Sequence, residues 1–519
     1  MTNFLDIEVA PDHVNDKLHI ELQIRKALNL RADDPIFFRV VKRSLDARKK
    51  IVYRLRLEIS TEQEIETGLQ IPEYHTSFIS TVHIIGAGPA GLFAALKCLE
   101  KGFRPIVIER GKDVRARRRD LAVLNKQHIV DRESNYCFGE GGAGAYSDGK
   151  LYTRSKKRGN VKSVLETLVM HGADEDILVD AHPHIGTNKL PGIITRIRET
   201  IVDKGGEVRF ESKLTDINIQ DSKIRSIVIN HEEELEVDNL ILATGHSARD
   251  IFELCKNRRV AIEAKPFALG VRVEHPQALI NKMQYGRSAD KDVLPPAAYS
   301  MVCQVNDTGV FSFCMCPGGI IAPCATAPGE IVTNGWSPSK RNNPFANSGI
   351  VVEVKDEDLR PYAEHGALAG VEFQSSVEKR AWKAGGMSQV APAQRLVDFI
   401  MGRASVDLPD CSYFPGVRSV ELAQVLPARI YKSLQEGFKQ FGVKMNTYLT
   451  NEAIVVATES RSSSPVRIPR DKKSLEHIEI KGLYPCGEGA GYAGGIVSAA
   501  IDGQRCVEAI ALKKGQLSN

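Results

Sequence analysis

Gly86-Ala87-Gly88-Pro89-Ala90-Gly91 follows the apolar run 82–85 and precedes the apolar stretch 92–99. Glycines at i, i+2 and i+5 between a strand and a helix are suited to one task, holding a pyrophosphate. Gly86 makes the tight turn, and Gly88 lets backbone N–H groups reach the phosphates where Pro89 and Ala90 open the helix. Gly91 lets the helix pack closely on the strand. A second strand, 105–108, ends in Glu109, 18 residues after Gly91. A carboxylate there accepts hydrogen bonds from ribose hydroxyls, and its charge disfavours a 2′-phosphate. The site is therefore expected to take FAD or NAD rather than NADP.

Two more glycine clusters, 139–149 and 482–495, join 86–91, and together they place 14 of the 42 glycines in 31 of 519 residues. Glycine permits positive φ and close approach of backbone to a ligand, so the chain reads as built around something large and bound. The last cluster runs from Gly482 through Cys486-Gly487-Glu488-Gly489-Ala490-Gly491 to Gly494-Gly495-Ile496, ahead of a helix-like stretch 497–513. A lone NAD site needs no second glycine-rich strand, loop and helix some 400 residues later. FAD does, because it is longer and its ring is received by another part of the sheet.

With these motifs the chain resembles the two-dinucleotide-fold flavoproteins of the glutathione-reductase-like superfamily. More closely, it is similar to the uncharacterised bacterial FAD-dependent dehydrogenases, also labelled NAD-utilising dehydrogenases. They share an N-terminal α/β extension, the loop from Phe138 to Lys150, and the ending from Cys486 to Gly495. The resemblance spans nearly the whole chain and implies bound FAD. Their substrate is not established. It implies that Gly487-Glu488 holds the ribitol and pyrophosphate, with Glu in place of the usual Asp. It also implies that Gly494, Gly495 and Ile496 set backbone N–H groups and a helix N-terminus against the pyrimidine edge of the flavin, where a fractional positive charge favours hydride acceptance. The loop with Gly141, Gly142, Ser147 and Lys150 would run under the ring. Lys150 would polarise the flavin, bind an acidic substrate or extend into solvent. Leu214, in the strand-like stretch 206–217, and Thr244-Gly245, after the apolar run 235–242, complete the implied contacts.

Other residues leave alternatives open. The basic stretch 110–119, beginning at Arg110, neutralises cofactor phosphates, attracts a nicotinamide phosphate, or forms a solvated helix face. His182 and His184 have no acid or cysteine at a metal-ligating spacing, so a loop bordering the cofactor is expected, with one histidine a candidate proton donor. Cys314 and Cys316 alternate on a strand and are expected to share a face. A disulfide between residues i and i+2 is strained, so buried thiols facing the flavin are the first expectation. No catalytic acid or base stands out, and no metal site is expected.

The elements that position these residues follow from length and composition. At 519 residues the chain exceeds one core, and a prior of ~150 residues per domain suggests three or four units. With 42% hydrophobic and 26% charged residues it is an ordinary globular chain, which excludes disordered and collagen-like classes. The expected fold class is α/β, a Rossmann-like FAD-binding domain that is discontinuous over 79–265 and 476–519. An α+β substrate domain, 266–475, is inserted, and a small N-terminal α/β domain covers 1–78. In that first unit 18–30 reads as a helix, 36–41 as a strand, and 51–59 alternates, with Ile51, Tyr53, Leu55, Leu57 and Ile59 on one face. Eight basic residues and one acid, Asp46, lie between Arg39 and Arg56. They form either a solvated strand face or a surface for an anionic partner such as RNA. The net charge of +4 demands neither nucleic acid nor an anionic membrane.

Residues 1–16 lack the apolar centre of a signal peptide, and prolines interrupt the longest uncharged run, 308–329, so no membrane span is expected. Ten cysteines without a regular framework read as free thiols in a reducing, cytoplasmic setting. Function is expected to be hydride transfer between FAD and a small-molecule substrate or NAD(P)H, the nicotinamide binding transiently because the glycine motif followed by a strand that ends in an acid occurs once. An RNA-associated flavoprotein, such as an FAD-dependent tRNA-modifying enzyme, and a flavin-binding scaffold without turnover are the alternatives.

Overall fold

The computed structural model describes residues 3–65, 68–153, 159–289 and 293–515. The chain opens with β1 (Asn3–Val9), α1 (Lys17–Leu28), β2 (Phe37–Asp46) and β3 (Val52–Ser60), and the strands form an antiparallel sheet in the order β1-β3-β2. Asp16 caps α1 by accepting from the His19 N–H, and Asn29 ends it in the left-handed region at φ 55°. Leu55, Leu57 and Ile59 are buried against Ile20 and Ile24. The first strand was not anticipated, because its acidic residues hide the apolar alternation. Four of the eight basic residues of the stretch are paired with acids within the fold. Arg39 pairs with Glu58, Arg43 with Asp176 and Asp180, Arg48 with Asp46, and Arg54 with Glu8 and Asp46.

The second sheet is parallel and holds the motif. It is built from β4 (Ser80–Ile85), α2 (Pro89–Glu100), β5 (Phe103–Ile108), α3 (Val114–Gln127), α4 (Val161–Met170), α5 (Leu190–Asp203) and β6 (Glu207–Arg209). A meander of β7 (Leu214–Gln220), β8 (Lys223–Ile229) and β9 (Glu233–Glu236) precedes β10 (Leu240–Leu242) and α6 (Arg249–Asn257). The stretch 206–217 is thus two strands in two sheets with a turn between them. The apolar β4 is buried from Val82 to Ile85, as a parallel strand covered on both faces must be.

A larger sheet follows, antiparallel except for the β18–β19 pair. Its chain runs through β11 (Glu263–Ala264), β12 (Ala268–Pro276), α7 (Gln277–Tyr285), β13 (Val302–Val305), β14 (Thr308–Cys316), β15 (Ile320–Pro323), β16 (Thr333–Trp336) and β17 (Phe345–Glu353). It continues through α8 (Asp356–Leu359), α9 (Ala369–Ala384), β18 (Ala391–Arg395), α10 (Leu396–Met401), β19 (Val417–Ser419), α11 (Ala428–Lys444) and β20 (Ile454–Glu459). Seven strands pair in the order β13-β14-β17-β12-β20-β18-β19, and β15 and β16 form a separate hairpin. The uncharged run 308–329 is therefore β14, a turn and β15. Among the described residues no helix is long and apolar enough to cross a membrane.

The chain then returns to the parallel sheet. After β21 (Val466–Arg467), which pairs with β11, β22 (Leu483–Pro485) lies parallel to β10, giving the order β22-β10-β4-β5-β6, and α12 (Ile496–Lys513) ends the fold. α12 packs on α2 at a glycine: a Cβ on Gly503 would sit 2.0 Å from the Ala90 carbonyl oxygen. This contact brings the N-termini of α2 and α12 to the same end of the sheet.

Candidate cofactor and active-site cavity

A cavity of about 430 Å³ opens at the carboxyl ends of the parallel strands and runs beneath the seven-stranded sheet. All the residues singled out from the motifs line it except Gly91 and Gly141. Gly91 is consumed by packing, since a Cβ there would lie 1.8 Å from the Gly86 carbonyl oxygen. Gly141 donates its N–H to Ala87 O at 2.8 Å and stands at φ 80°, which ties one glycine loop to the other.

The cavity has features of a cradle shaped for a ligand. Gly88 and Gly495 are the N-cap residues of α2 and α12, and neither helix has a side-chain cap. Two sets of unsatisfied helix N–H groups therefore face one space, an arrangement that favours an anion. A Cβ on Gly88 would touch only Gly142 Cα at 3.9 Å, and on Gly494 or Gly495 it would meet nothing within 4 Å. The fold itself does not require glycine at these three positions, whereas a backbone-hugging ligand would. Two buried oxygens on the lining, Asp148 Oδ1 and Thr333 Oγ1, have no hydrogen-bond partner among the described residues, although their residues are 2% and 1% exposed, and Trp336 Nε1 is likewise unpaired there. A polar, elongated group such as FAD fits this set.

Glu109 is 5% exposed and is engaged by the backbone. Its Oε2 accepts from Ala87 N at 2.8 Å, and its Oε1 accepts from Gly111 N and Gly139 N, both at 2.9 Å. The carboxylate thus clamps three loops together at the cavity edge. Arg110 is committed too, to Glu133 (2.6 Å) and Asp250 (2.9 Å), with its guanidinium 4.3 Å from the Phe138 ring centre. Within the same basic stretch Arg117 is fully buried, donates to Asn135 O and Glu140 O at 2.8 Å, and stacks over Tyr146. Arg115, Arg118 and Arg119 are exposed. The stretch is neither uniformly solvated nor free to meet phosphates; its inner arginines hold the loop that follows.

That loop spans the cavity. Gly142 approaches Gly88 so closely that a Cβ on it would lie 3.1 Å from Gly88 Cα, while Ser147 donates to Gly144 O at 2.9 Å. At its far end the Lys150 ammonium donates to Met315 O and sits 3.9 Å from both Cys314 Sγ and Cys316 Sγ. The two cysteines do not simply alternate. The β14–β17 register shifts between Phe313 and Cys316, and Cys314 stands at φ 46°. Cys314 is partly buried on the cavity wall and Cys316 is buried.

After β22, Gly487 N donates to Asp502 Oδ2 at 2.8 Å, and Asp502 is held by Arg470 at 2.6 Å. Glu488 lines the cavity with its Oε1 3.5 Å from His246 Nδ1. Thr244, Gly245 and Leu214 complete this rim. His184 bonds Ser339 O at 3.1 Å, and the His182 ring lies 4.9 Å from that of Tyr152.

Several lining residues were not foreseen. His246 directly follows Thr244-Gly245, so its position was available from that motif. Arg461 and Ser462 lie just beyond β20, where nothing in the spacing marks them. Arg461 belongs to a buried network: its Nη2 is 2.9 Å from Glu330 and 3.0 Å from Glu378, and Glu378 also pairs with Arg249 at 2.9 Å. Burial would raise the Glu378 carboxyl, but Arg249 and Arg461 outweigh it and hold it at about 2. Tyr136, Phe313, Ala322, Cys324, Val332 and Trp336 supply an apolar and aromatic part of the wall.

Comparison with known proteins agrees with this architecture. Residues 266–462 match the family described as FAD-dependent protein, C-terminal domain-like, and residues 84–144 match the NAD(P)-binding Rossmann-like domain. Residues 1–60 match a domain of unknown function. Among solved structures the chain is similar to tetracycline destructase Tet(51), at 11% identity and TM-score 0.35, covering 85% of this chain and 83% of that one. It is also similar to a glycine oxidase from Bacillus cereus, at 12% identity and TM-score 0.31, covering 86% and 96%. The matched family descriptions support FAD as cofactor and an oxidoreductase of flavoprotein type. An uncharacterized protein of Clostridium beijerinckii is 40% identical over 521 residues, covering 96% of each chain, and the present chain belongs to the same family as that protein.

Proposed function

We propose that this protein is an FAD-dependent dehydrogenase that passes hydride between a small organic substrate or NAD(P)H and its flavin. The observation that carries the reading is the pair of uncapped helix N-termini, with Gly88, Gly494 and Gly495 open to one cavity. When bound, FAD supplies the two-electron hydride chemistry. In this reading Gly86, Gly88, Pro89 and Ala90, with the start of α2, bind the pyrophosphate. Glu109 shapes the ribose end through the three loops it clamps, and Arg110 orients that end through Phe138. Gly487 and Glu488 receive the ribitol, and Gly494, Gly495 and Ile496 place the N-terminal end of α12 against the ring, where its partial positive charge favours electron uptake. Leu214, Thr244 and Gly245 close the rim. Gly142, Ser147 and Lys150 carry the loop along the cavity. Tyr136, Phe313 and Trp336 exclude water from the substrate end. A nicotinamide donor would enter through the same cavity, because only one of the G-x-G-x-x-G runs, 86–91, is followed by a helix and a second strand ending in an acid.

Anaerobic addition of NADH, NADPH and a metabolite panel to the purified protein tests the reading. At least one compound is expected to bleach the visible flavin band at a rate on the order of 1 s⁻¹ or faster, as turnover requires. A flavin that none of them reduces would leave a scaffold in place of a dehydrogenase.

A further inference from the structure

The Cys314 site contains more than a flavin cradle requires. A β-bulge interrupts β14 at this point, and Cys314 takes φ 46°, a region that residues other than glycine seldom occupy unless their surroundings impose it. The surroundings do impose it here. Fully buried Arg272 donates from Nη2 to the Cys314 carbonyl at 2.7 Å and is itself held by Asn347 and Glu459. The result is a partly buried cysteine on the cavity wall, its sulfur 3.9 Å from the Lys150 ammonium. Cys316, the other sulfur beside Lys150, is buried and points its S–H at Cys314 O, 3.3 Å away. Its sulfur also lies 3.9 Å from Arg272 Nη2, but it is buried behind the cavity wall, so Cys314 is the member of the pair that a substrate can reach.

The same part of the lining holds the two unpartnered buried oxygens. Asp148 Oδ1 belongs to the carboxylate whose Oδ2 is 3.5 Å from Lys150. Thr333 adjoins Asn334, whose Oδ1 shares Arg272 with the Cys314 carbonyl. Both oxygens belong to residues of the cavity lining and have no hydrogen-bond partner among the described residues, and so point to a ligand at this end. The cations on the lining are matched with anions: Lys150 shares Asp148 with the closer Arg341 and has Cys314 as its second neighbour, Arg110 and Lys213 lie with Glu133 and Asp250, and Arg461 with Glu330 and Glu378. With those charges balanced and the wall aromatic, this end suits an uncharged molecule.

We propose that Cys314 is the nucleophile of this cavity, a thiolate ion-paired with Lys150, and that it acts on uncharged organic substrates with a soft electrophilic carbon, namely carbonyl-conjugated alkenes. The assignment takes the cavity as a substrate site and so rests on the preceding section. In the step itself the sulfur lone pair forms a C–S bond to the β-carbon, and the alkene pair moves toward the carbonyl. The Lys150 ammonium delivers a proton to the α-carbon and is reprotonated from solvent. Nothing is oxidised or reduced, and the product is a saturated thioether on Cys314.

The groups facing Cys314 are Cys316 on its own strand, Lys150 and Asp148 on the loop, Arg272 on β12 and Glu459 on β20. The neighbouring Cys316 thiol, followed by Lys150 and Arg272, holds the Cys314 thiol well below its ordinary range despite burial and the opposing Asp148. N-ethylmaleimide, itself a carbonyl-conjugated alkene, is the probe. Flavin-loaded protein is treated at pH 6.5, and the modified cysteines are located and timed by peptide mass spectrometry. Cys314 is expected to react at least about tenfold faster than partly buried Cys137 and Cys411, and its rate is expected to stay nearly flat from pH 8 to 6.5. An ordinary thiol with pKa ~8.5 slows about tenfold per unit. Lys150→Met is expected to slow Cys314 at pH 6.5 by about tenfold or more and Lys150→Arg to retain most of the rate. The wild-type pH profile stands on its own if the Met variant does not fold. Reaction of Cys314 no faster than Cys137, or a rate that falls like an ordinary thiol's, would overturn the proposal. Flavin content, measured on the same sample, separates this outcome from failure of the cofactor assignment.

Discussion

Gly88→Asp is expected to yield a folded protein without flavin. Gly88 is the N-cap of α2 at an ordinary φ of −75°, and the only atom near an added Cβ is Gly142 Cα at 3.9 Å. Asp is a favoured N-cap, because its carboxylate accepts the free N–H groups of the first turn. The empty fold is therefore expected to change by no more than about 1 kcal/mol, with the sign toward stabilisation. The same carboxylate then occupies the N–H groups that a pyrophosphate needs and adds a like charge beside it. Like-charge juxtaposition costs several kcal/mol, or ~10²–10³-fold in affinity. Thermal unfolding and the absorbance of released flavin check both halves. Stoichiometric flavin in Gly88→Asp would remove the pyrophosphate from this loop.

The second large effect is on stability. Glu378 on α9 is fully buried between Arg249 at the start of α6 and Arg461 beside the cavity. It also accepts from Ser460 Oγ at 2.6 Å. Glu378→Ala removes one member of a buried charge network and leaves the two arginines sharing only Glu330, a change expected to cost ~3–5 kcal/mol. A loss under about 1 kcal/mol in chemical denaturation would contradict that expectation. The pH dependence follows with a definite sign. Because its folded pKa, about 2, lies below the ordinary 4.5, the carboxylate's contribution is complete above pH ~4.5 and declines as pH falls toward 2. This acid-side decline is expected to be weaker in the Ala variant. The network joins α6, next to the parallel sheet, to the segment just beyond β20 that carries Arg461, so its loss is also expected to loosen the cavity wall.

Much of the cofactor end was legible from residue type and order. The spacing of Gly86, Gly88 and Gly91 between a strand and a helix has few physical solutions, and the return of β22 and α12 to the same sheet follows from a second strand, loop and helix rich in glycine. What spacing could not supply was the division of labour inside each motif. Glu109 reads as a ribose acceptor, yet three backbone N–H groups already engage it. Arg117 reads as one more charge on a helix face, yet it is fully buried under Tyr146. Both outcomes depend on where a loop some 30 residues further along the chain returns, and local pattern carries no record of that. The Cys314 bulge was hidden for a related reason. Strict alternation predicts a shared face for Cys314 and Cys316, and the departure is imposed by Arg272 and Lys150, each distant in sequence. Arg461 and Glu378 were invisible because buried charge pairs form across elements and leave no periodic trace.

The claim on which the rest depends is that the cavity holds FAD, and it can be measured directly. Purified, folded protein is denatured and the released small molecules are identified by mass spectrometry. The account predicts FAD at about one per chain, or uptake to that level when FAD is added before denaturation. Folded protein that releases no FAD and takes none up would contradict it.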